Sequence, residues 1–219
     1  AFYHRAAEIL DACDDLRADY QNRNAVKSKV AIGIPPMLST VFFPELLESF
    51  HAQHPDVWLT LKEYGSVRAR AMVMDELLDI GIVNMEDPDT DKFHSHILTQ
   101  DELVFCVCKN HPFAKLAQID MAQLDRQDLL LFHQDSVQNK ILTQRFEQLR
   151  IQPRVILYSS QLTTMLKFLR RGNCGCFLFK SMLPETPELV HVPLTAPIPV
   201  RSGIIWKQGR HLNKGTQEF

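Results

Sequence analysis

The 219-residue chain is 45% hydrophobic and 23% charged, which is ordinary for a globular protein and sufficient for one large domain or two small ones. A net charge of −2 excludes a strongly basic, nucleic-acid-binding surface on this chain. No apolar run approaches the roughly 18 residues of a membrane helix, no signal-peptide pattern opens the sequence, and the absence of an initiator Met indicates a trimmed or processed chain.

The first predicted element is a helix over residues 1–22. Its apolar residues are spaced four and three apart in alternation, which is a heptad stripe that needs a second helix to cover it. The stripe could pack on the body of the same chain, but the polar segment NRNAVKSK that follows favours a linker helix that dimerises. The predicted dimerisation residues are Phe2, Ala6, Ile9, Cys13, Leu16 and Tyr20.

The next segment, KVAIGIPPMLST at residues 29–40, is predicted to be a ligand-binding corner. Apolar residues run through VAIGI without a charge, which predicts a strand buried on both faces. Two prolines end that strand, and Ser39 and Thr40 stand where capping hydroxyls precede an apolar helix. Such a corner is where α/β proteins bind ligands, and its N–H groups favour a small anion.

The rest of the chain alternates strands and helices in two similar sets, each with two strand-to-helix corners. Strand, helix, strand, helix and strand within about 55 residues predict a doubly wound parallel sheet. Arg68 and Arg70, in the second helix, are interpreted as a solvated face. The predicted strands are 29–34, 57–62, 80–83, 103–108, 129–132, 154–158, 176–179, 189–192 and 204–206.

The cysteines are interpreted as small buried hydrophobes. Their odd number favours reduced thiols in the cytoplasm over a disulfide framework. Each of the two C-x-C pairs could offer two thiolates to a metal, but both pairs lie in apolar strands without the C-x2-C loops of zinc sites. We therefore expect no metal and no cofactor. The five residues are Cys13, Cys106, Cys108, Cys174 and Cys176.

Five segments, in this order, resemble the effector-binding domain of LysR-type bacterial transcription regulators: KVAIGIPPMLSTVFFPELLESFHAQHPDV, GSVRARAMVMDELLDIGIV, ELVFCVCKNHPFAK, RVILYSSQLTTMLKFLRRGNCGCFL and GIIWKQGRHL. The resemblance implies an α/β fold with two Rossmann-like lobes of periplasmic-binding-protein type, joined by two crossing strands (ELVFCVC and RSGIIW) and preceded by a long linker helix. It implies a linker at 1–22, regulatory lobe I at 29–101 and 203–219, and regulatory lobe II at 102–202.

The same resemblance implies that a small-molecule effector binds in the cleft between the lobes. Some relatives that sense aromatic acids carry an Arg where this chain has Asn84, so a carboxylate ligand would rest on hydroxyls and N–H groups, helped by His133. The implied contacts on lobe I are Pro36, Met37, Leu38, Ser39, Thr40, Gly65, Ser66 and Asn84, and those on lobe II are His133, Gln134, Asp135, Ser136, Ser159 and Ser160.

Each of these polar residues also has a purely structural interpretation. A Ser or Thr hydroxyl at a helix start contributes about 1 kcal/mol as a cap without any ligand. His133 could be an ordinary loop residue, and Asp135 could cap the helix that begins near Val137.

The expected function is therefore ligand sensing and oligomerisation in a cytoplasmic LysR-type regulator. Self-association into a homodimer or homotetramer is expected, with DNA contacted only through a domain missing from this chain and no membrane contact. The motifs G-x-S-x-G, G-x-x-x-x-G-K-[ST], G-x-G-x-x-G and H-E-x-x-H are absent, so no catalytic residue is predicted. The alternatives are a transporter's solute-binding receptor, against which the reduced cysteines and heptad helix argue, and a two-lobed α/β enzyme such as a dehydratase-like protein.

Overall fold

A computed structural model describes residues 28–41, 43–86, 92–182 and 187–219 of the chain. The predicted linker helix at 1–22 and its dimerisation stripe lie outside the described residues and stay predictions. No helix in the described ranges is long and apolar enough to cross a membrane.

Nine strands of the described chain form one curled mixed sheet. Their order is β2-β1-β3-β9-β4-β7-β5-β6, and β8 pairs with β4 beside that path. The strands are β1 (Ser28–Ile34), β2 (Val57–Glu63), β3 (Ile80–Asn84), β4 (Phe93–Cys108), β5 (Asp128–Leu131), β6 (Arg154–Tyr158), β7 (Gly175–Phe179), β8 (Leu189–Val192) and β9 (Ile198–Lys207).

Helices connect the strands and cover the sheet. Short helical turns occur at Pro112–Lys115, Met121–Leu124 and Lys180–Met182. The α-helices are α1 (Pro36–Val41), α2 (Phe43–Gln53), α3 (Ser66–Met74), α4 (Val137–Leu149), α5 (Leu162–Leu169) and α6 (Lys214–Glu218).

The sheet has two parallel ends joined by two antiparallel strands. Strands β2, β1 and β3 run parallel at one end, and β7, β5 and β6 run parallel at the other. Between them β4 and β9 pair antiparallel from Phe93 with Lys207 to Leu103 with Ile198. This arrangement confirms the predicted fold of two α/β lobes joined by two crossing strands. The end of the sheet with β2, β1 and β3 is called lobe I below, and the end with β7, β5 and β6 is called lobe II.

The first crossing strand is longer than the sequence predicts. The prediction began at Leu103, whereas β4 begins at Phe93 and is mostly exposed over its first ten residues. Those ten residues read FHSHILTQDE, which lacks the apolar alternation of a half-buried strand. Their structure comes from backbone pairing with β9.

The core supports the predicted buried strands. In β1, Val30, Ile32 and Ile34 are buried on one face, while on the other face Gly33 is buried and Ala31 is half-buried, so the predicted burial of both faces is confirmed except at Ala31. Burying each of the Val and Ile side chains contributes roughly 1.5–3 kcal/mol. A smaller cluster on another face of lobe I packs α3 against the sheet through Ala69, Val73, Leu78, Val83, Phe93 and Ile205.

One residue of α3 contradicts the sequence interpretation. Arg68 is exposed, with its guanidinium 4.4 Å from the centre of the Tyr64 ring, as a solvated face requires. Arg70 was predicted to share that face, but only 5% of it is exposed. Its Nη2 donates a hydrogen bond to the backbone oxygen of Asn84, so this cation supports the end of β3.

The four described cysteines are buried free thiols, which confirms their interpretation as hydrophobes. Cys106 of β4 lies opposite Cys176 of β7 in the strand register. Burial raises the pKa of the Cys106 thiol to about 12, and burial also raises the pKa of Cys176. Both therefore stay protonated, and the described residues contain no His, Cys, Asp or Glu cluster able to hold a metal.

Candidate functional site

A cavity of about 40 Å³ lies between the lobes, at the carboxyl ends of β1, β3 and β5. The volume rises to about 480 Å³ when all the space between the walls is included, part of which is open to solvent. Lobe I lines it with Pro35, Pro36, Met37, Leu38, Gly65, Ser66 and Asn84, and lobe II with Phe132, His133, Asp135, Ser136, Val137, Gln138, Ser160 and Phe179.

The corner between β1 and α1 supplies a mainly apolar wall. Pro36, Met37 and Leu38 line the cavity, but Ser39 and Thr40 do not. The Ser39 hydroxyl lies 2.8 Å from the Pro36 carbonyl oxygen and also bonds the Glu63 carboxylate. The Thr40 hydroxyl donates to the same Pro36 carbonyl at 2.9 Å. Both hydroxyls therefore form hydrogen bonds within lobe I and do not line the cavity.

The corner between β3 and α3 holds Asn84 by its backbone and side chain. The Asn84 N–H donates to the Ser66 hydroxyl at 3.0 Å, and the Asn84 carbonyl accepts from Arg70. The side-chain oxygen Oδ1 accepts from the Glu86 N–H at 3.0 Å. The amide nitrogen Nδ2 is buried without a hydrogen-bond partner among the described residues.

Gln138, in the first turn of α4 on lobe II, has an unpaired acceptor where Asn84 has an unpaired donor. Its Nε2 donates to the carbonyl oxygen of Phe177 at 2.7 Å. Its Oε1 is buried and has no partner in the described part of the chain. A buried polar atom left without a hydrogen bond costs about 1–3 kcal/mol. Two residues that line the cavity, Asn84 and Gln138, therefore each keep one buried polar atom without a partner, a donor on lobe I and an acceptor on lobe II.

Gln138 was not predicted as a site residue. The prediction stopped at the HQDS loop, which precedes α4. A sequence signal was available, because Gln138, Leu142 and Phe146 are spaced by four residues and so share one helix face. Leu142 and Phe146 are buried on that face, so a polar residue in line with them is in an unusual position.

Asp135 joins the two lobes directly. Its Oδ2 accepts a hydrogen bond from the Gly65 N–H at the start of α3, at 3.2 Å. A Cβ atom added to Gly65 would lie 2.6 Å from the Asp135 carboxyl, so glycine is required for this approach. The protein thus places its own carboxylate where a helix amino end favours an anion.

Asp135 does not cap α4, which was its alternative structural interpretation. The residue before α4 is Ser136, whose side chain makes no capping hydrogen bond. Asp135 instead contacts Gly65 across the cleft, and its Oδ1 lies 3.5 Å from Nδ1 of His133.

The cavity carries little positive charge. His133 is the one lining residue in the described ranges that can become a cation, and no Lys or Arg lines the cavity there. The lining instead combines neutral amides and hydroxyls, the Asp135 carboxylate and apolar side chains. This arrangement suits a small polar molecule that needs no strong cationic partner.

Most of the predicted contacts meet at this cavity. Ser159, for example, does not line it, because its hydroxyl accepts from the Gln161 N–H at 3.0 Å in a local turn. The predicted residues that line the cavity are Pro36, Met37, Leu38, Gly65, Ser66, Asn84, His133, Asp135, Ser136 and Ser160. Those that do not are Ser39, Thr40, Gln134 and Ser159.

Comparison of the sequence with known families matches the LysR substrate binding domain over residues 23–219. The uncharacterized HTH-type transcriptional regulator YwbI of Bacillus subtilis (strain 168) is 32% identical over 196 residues, covering 85% of this chain. The chain spans 63% of the length of that relative, which is less than two thirds.

Two solved structures share the fold. The regulatory domain of CcmR from Synechocystis PCC6803, in complex with 2-PG, has a TM-score of 0.78 at 18% identity and covers 87% of this chain and 93% of its own. The effector binding domain of QuiR, in complex with shikimate, has a TM-score of 0.75 at 19% identity and covers 88% of this chain and 93% of its own.

Proposed function

This chain belongs to the LysR substrate-binding domain family, and from that premise we propose that the cavity between its lobes binds a small metabolite as the effector of a transcription regulator. The observation that carries the proposal is that two residues lining one cavity from different lobes, Asn84 and Gln138, each keep a buried amide atom (Nδ2 and Oε1) without a hydrogen-bond partner. The 2-PG and shikimate held by CcmR and QuiR support a small-molecule ligand.

Binding would act on the angle between the lobes. A ligand that bonds both walls stabilises the arrangement in which the walls are close, and it can shift the lobes by no more than its differential affinity for the two arrangements. The Asp135–Gly65 hydrogen bond already joins the walls without a ligand. The effector therefore adds to an existing contact across the cleft.

The signal would leave through the segment before lobe I. In this proposal lobe I comprises about 29–101 and 203–219, lobe II comprises 102–202, and the helix at 1–22 pairs with a second copy in a homodimer or homotetramer. A DNA-binding segment outside this chain would respond to that pairing, in the cytoplasm. DNA affinity and effector affinity would then be reciprocally coupled. No catalytic step is part of the proposal.

The test compares two neighbouring serines by thermal shift. Ser160 lines the cavity and Ser159 does not. A panel of small metabolites that includes shikimate and 2-PG is screened against the unmodified chain, in which a binder raises Tm because it stabilises the native state by RT ln(1 + [L]/Kd). We expect Ser160→Trp to abolish the shift by filling the cavity and Ser159→Trp to retain it. A shift that survives Ser160→Trp contradicts the proposal.

A further inference from the structure

We propose that Asn84 and Gln138 form a donor–acceptor pair that selects hydroxylated ligands. The proposal rests on the proposed function, and it specifies the ligand chemistry that the cavity recognises. Asn84 and Gln138 are 4% and 3% exposed, both line the cavity, and each keeps one buried polar atom without a hydrogen bond.

Backbone partners fix which way each amide points. Asn84 Oδ1 accepts from the Glu86 N–H, and an amide nitrogen in that place would set donor against donor. Gln138 Nε2 donates to the Phe177 carbonyl, and an amide oxygen there would set acceptor against acceptor. The atoms left for a ligand are therefore a nitrogen donor from lobe I and an oxygen acceptor from lobe II.

The neighbouring Asn139 shows that burial alone does not create this situation. Asn139 is 7% exposed and does not line the cavity. Its Nδ2 donates to the Phe132 carbonyl at 2.7 Å, and its Oδ1 accepts from the Thr143 hydroxyl at 3.4 Å. An equally buried amide one residue away is thus paired at both ends, whereas Gln138 is paired at one end only.

The unpaired atoms define the ligand by complementarity. Asn84 Nδ2 requires an oxygen acceptor, and Gln138 Oε1 requires a hydroxyl or similar donor. The Asp135 carboxylate has lone pairs beyond those used by Gly65, so it can accept a second ligand hydroxyl. A plain carboxylate offers acceptors alone and leaves Gln138 unpaired, whereas a hydroxylated molecule satisfies both walls.

The charge and shape of the cavity limit the ligand further. No Lys or Arg lines the described cavity, which disfavours a ligand with several negative charges. Met37, Phe132 and Phe179 give apolar surface for a carbon skeleton. The shared chemistry is a small hydroxylated skeleton, which hydroxy acids and neutral sugars both provide.

The experiment measures selectivity between matched ligands by calorimetry on the full chain. The probe pairs are glycerate against propionate, shikimate against benzoate, and ribose against tetrahydropyran, which is a neutral ring without hydroxyls. The first two pairs test hydroxy acids and the third tests neutral sugars. We expect the hydroxylated member of at least one pair to bind at least tenfold more tightly. Equal affinities within every pair, or no binding by any hydroxylated probe, would overturn the proposal.

Variants then assign the selectivity to the two amides. Gln138→Met removes the acceptor and is expected to bring the affinity ratio close to one, whereas Gln134→Met, at an exposed glutamine of the preceding loop, retains it. Asn84→Asp keeps the oxygen that bonds Glu86 but replaces the donor by an acceptor, so affinity for the hydroxylated probe falls at least tenfold.

The selectivity ratio separates ligand recognition from a merely structural role, because a destabilised fold weakens both members of a pair alike. A ratio unchanged in Gln138→Met overturns this proposal and leaves the cavity's effector role intact. Binding that survives Ser160→Trp instead counts against that effector role. Should Gln138→Met fail to fold, the ratios of the unmodified chain and of Asn84→Asp still decide the matter.

Discussion

The corner between β1 and α1 and the corner between β5 and α4 face the same cavity but use their polar side chains differently. At the first corner the Ser39 and Thr40 hydroxyls are taken by the Pro36 carbonyl and the Glu63 carboxylate. At the second corner Gln138 keeps an amide oxygen unpaired. A polar residue at a strand-to-helix corner is therefore available to a ligand only where the backbone leaves part of it unpaired.

The largest expected effect on stability contrasts two neighbours in α4. Asn139→Ala removes the donor to the Phe132 carbonyl and leaves that acceptor buried, so the free energy of unfolding should fall by about 1–3 kcal/mol. Ligand selectivity should not change, because Asn139 does not line the cavity. Chemical denaturation measures the free energy of unfolding, and calorimetry measures the selectivity ratio. A changed selectivity ratio in Asn139→Ala would contradict the assignment of ligand recognition to Gln138 and not to Asn139.

Gly65→Ala tests the contact across the cleft. The added Cβ would lie 2.6 Å from Asp135, so the two walls must move apart. Overpacking of this kind typically costs about 1–3 kcal/mol, and at this partly open site we expect the lower end. Denaturant unfolding measures the loss. Asp135→Ala is the control that removes the carboxylate without adding bulk, and equal stability of Gly65→Ala and the unmodified chain would contradict the described approach.

Ser39→Ala tests the corner whose hydroxyls are already paired. Loss of the bonds to Pro36 and Glu63 should reduce stability by about 1 kcal/mol. Affinity for a hydroxylated probe should stay within about twofold, because Ser39 does not line the cavity. A tenfold loss would correspond to about 1.4 kcal/mol of binding free energy. A tenfold loss of affinity in calorimetry would return Ser39 to the site.

The smallest effect concerns His111, which does not line the cavity. Burial lowers the pKa of its imidazole below the ordinary value of 6.5, and its Nδ1 accepts from the Phe113 N–H at 3.2 Å. The unfolded chain therefore binds the proton first, so stability is lost as pH falls below about 6.5. His111→Asn should lack that slope in pH-dependent unfolding, and an unchanged slope would assign the effect elsewhere.

The fold was largely predictable because its signals are local and repeated. The strands predicted at 29–34, 57–62 and 154–158 match β1, β2 and β6 to within one residue at each end. The first ten residues of β4 could not be found from sequence pattern, because these mostly polar residues are held by pairing with β9, about a hundred residues later.

The site was predictable in position but not in its hydrogen bonds. The order of strands and helices located the corners, and the resemblance to LysR-type regulators implied the contact residues, ten of which line the cavity. Whether a hydroxyl points inward or is taken by a carbonyl depends on distant neighbours such as Glu63. The same holds for Arg70 beneath Asn84 and for Asp135 reaching Gly65.

The most direct measurement is a crystal structure of the chain with a hydroxylated probe, such as glycerate or ribose, that calorimetry shows to bind. We predict a ligand oxygen within hydrogen-bond distance of Asn84 Nδ2 and a ligand hydroxyl donating to Gln138 Oε1. A probe seated outside the cavity, or one that leaves both amide atoms unpaired, would contradict it.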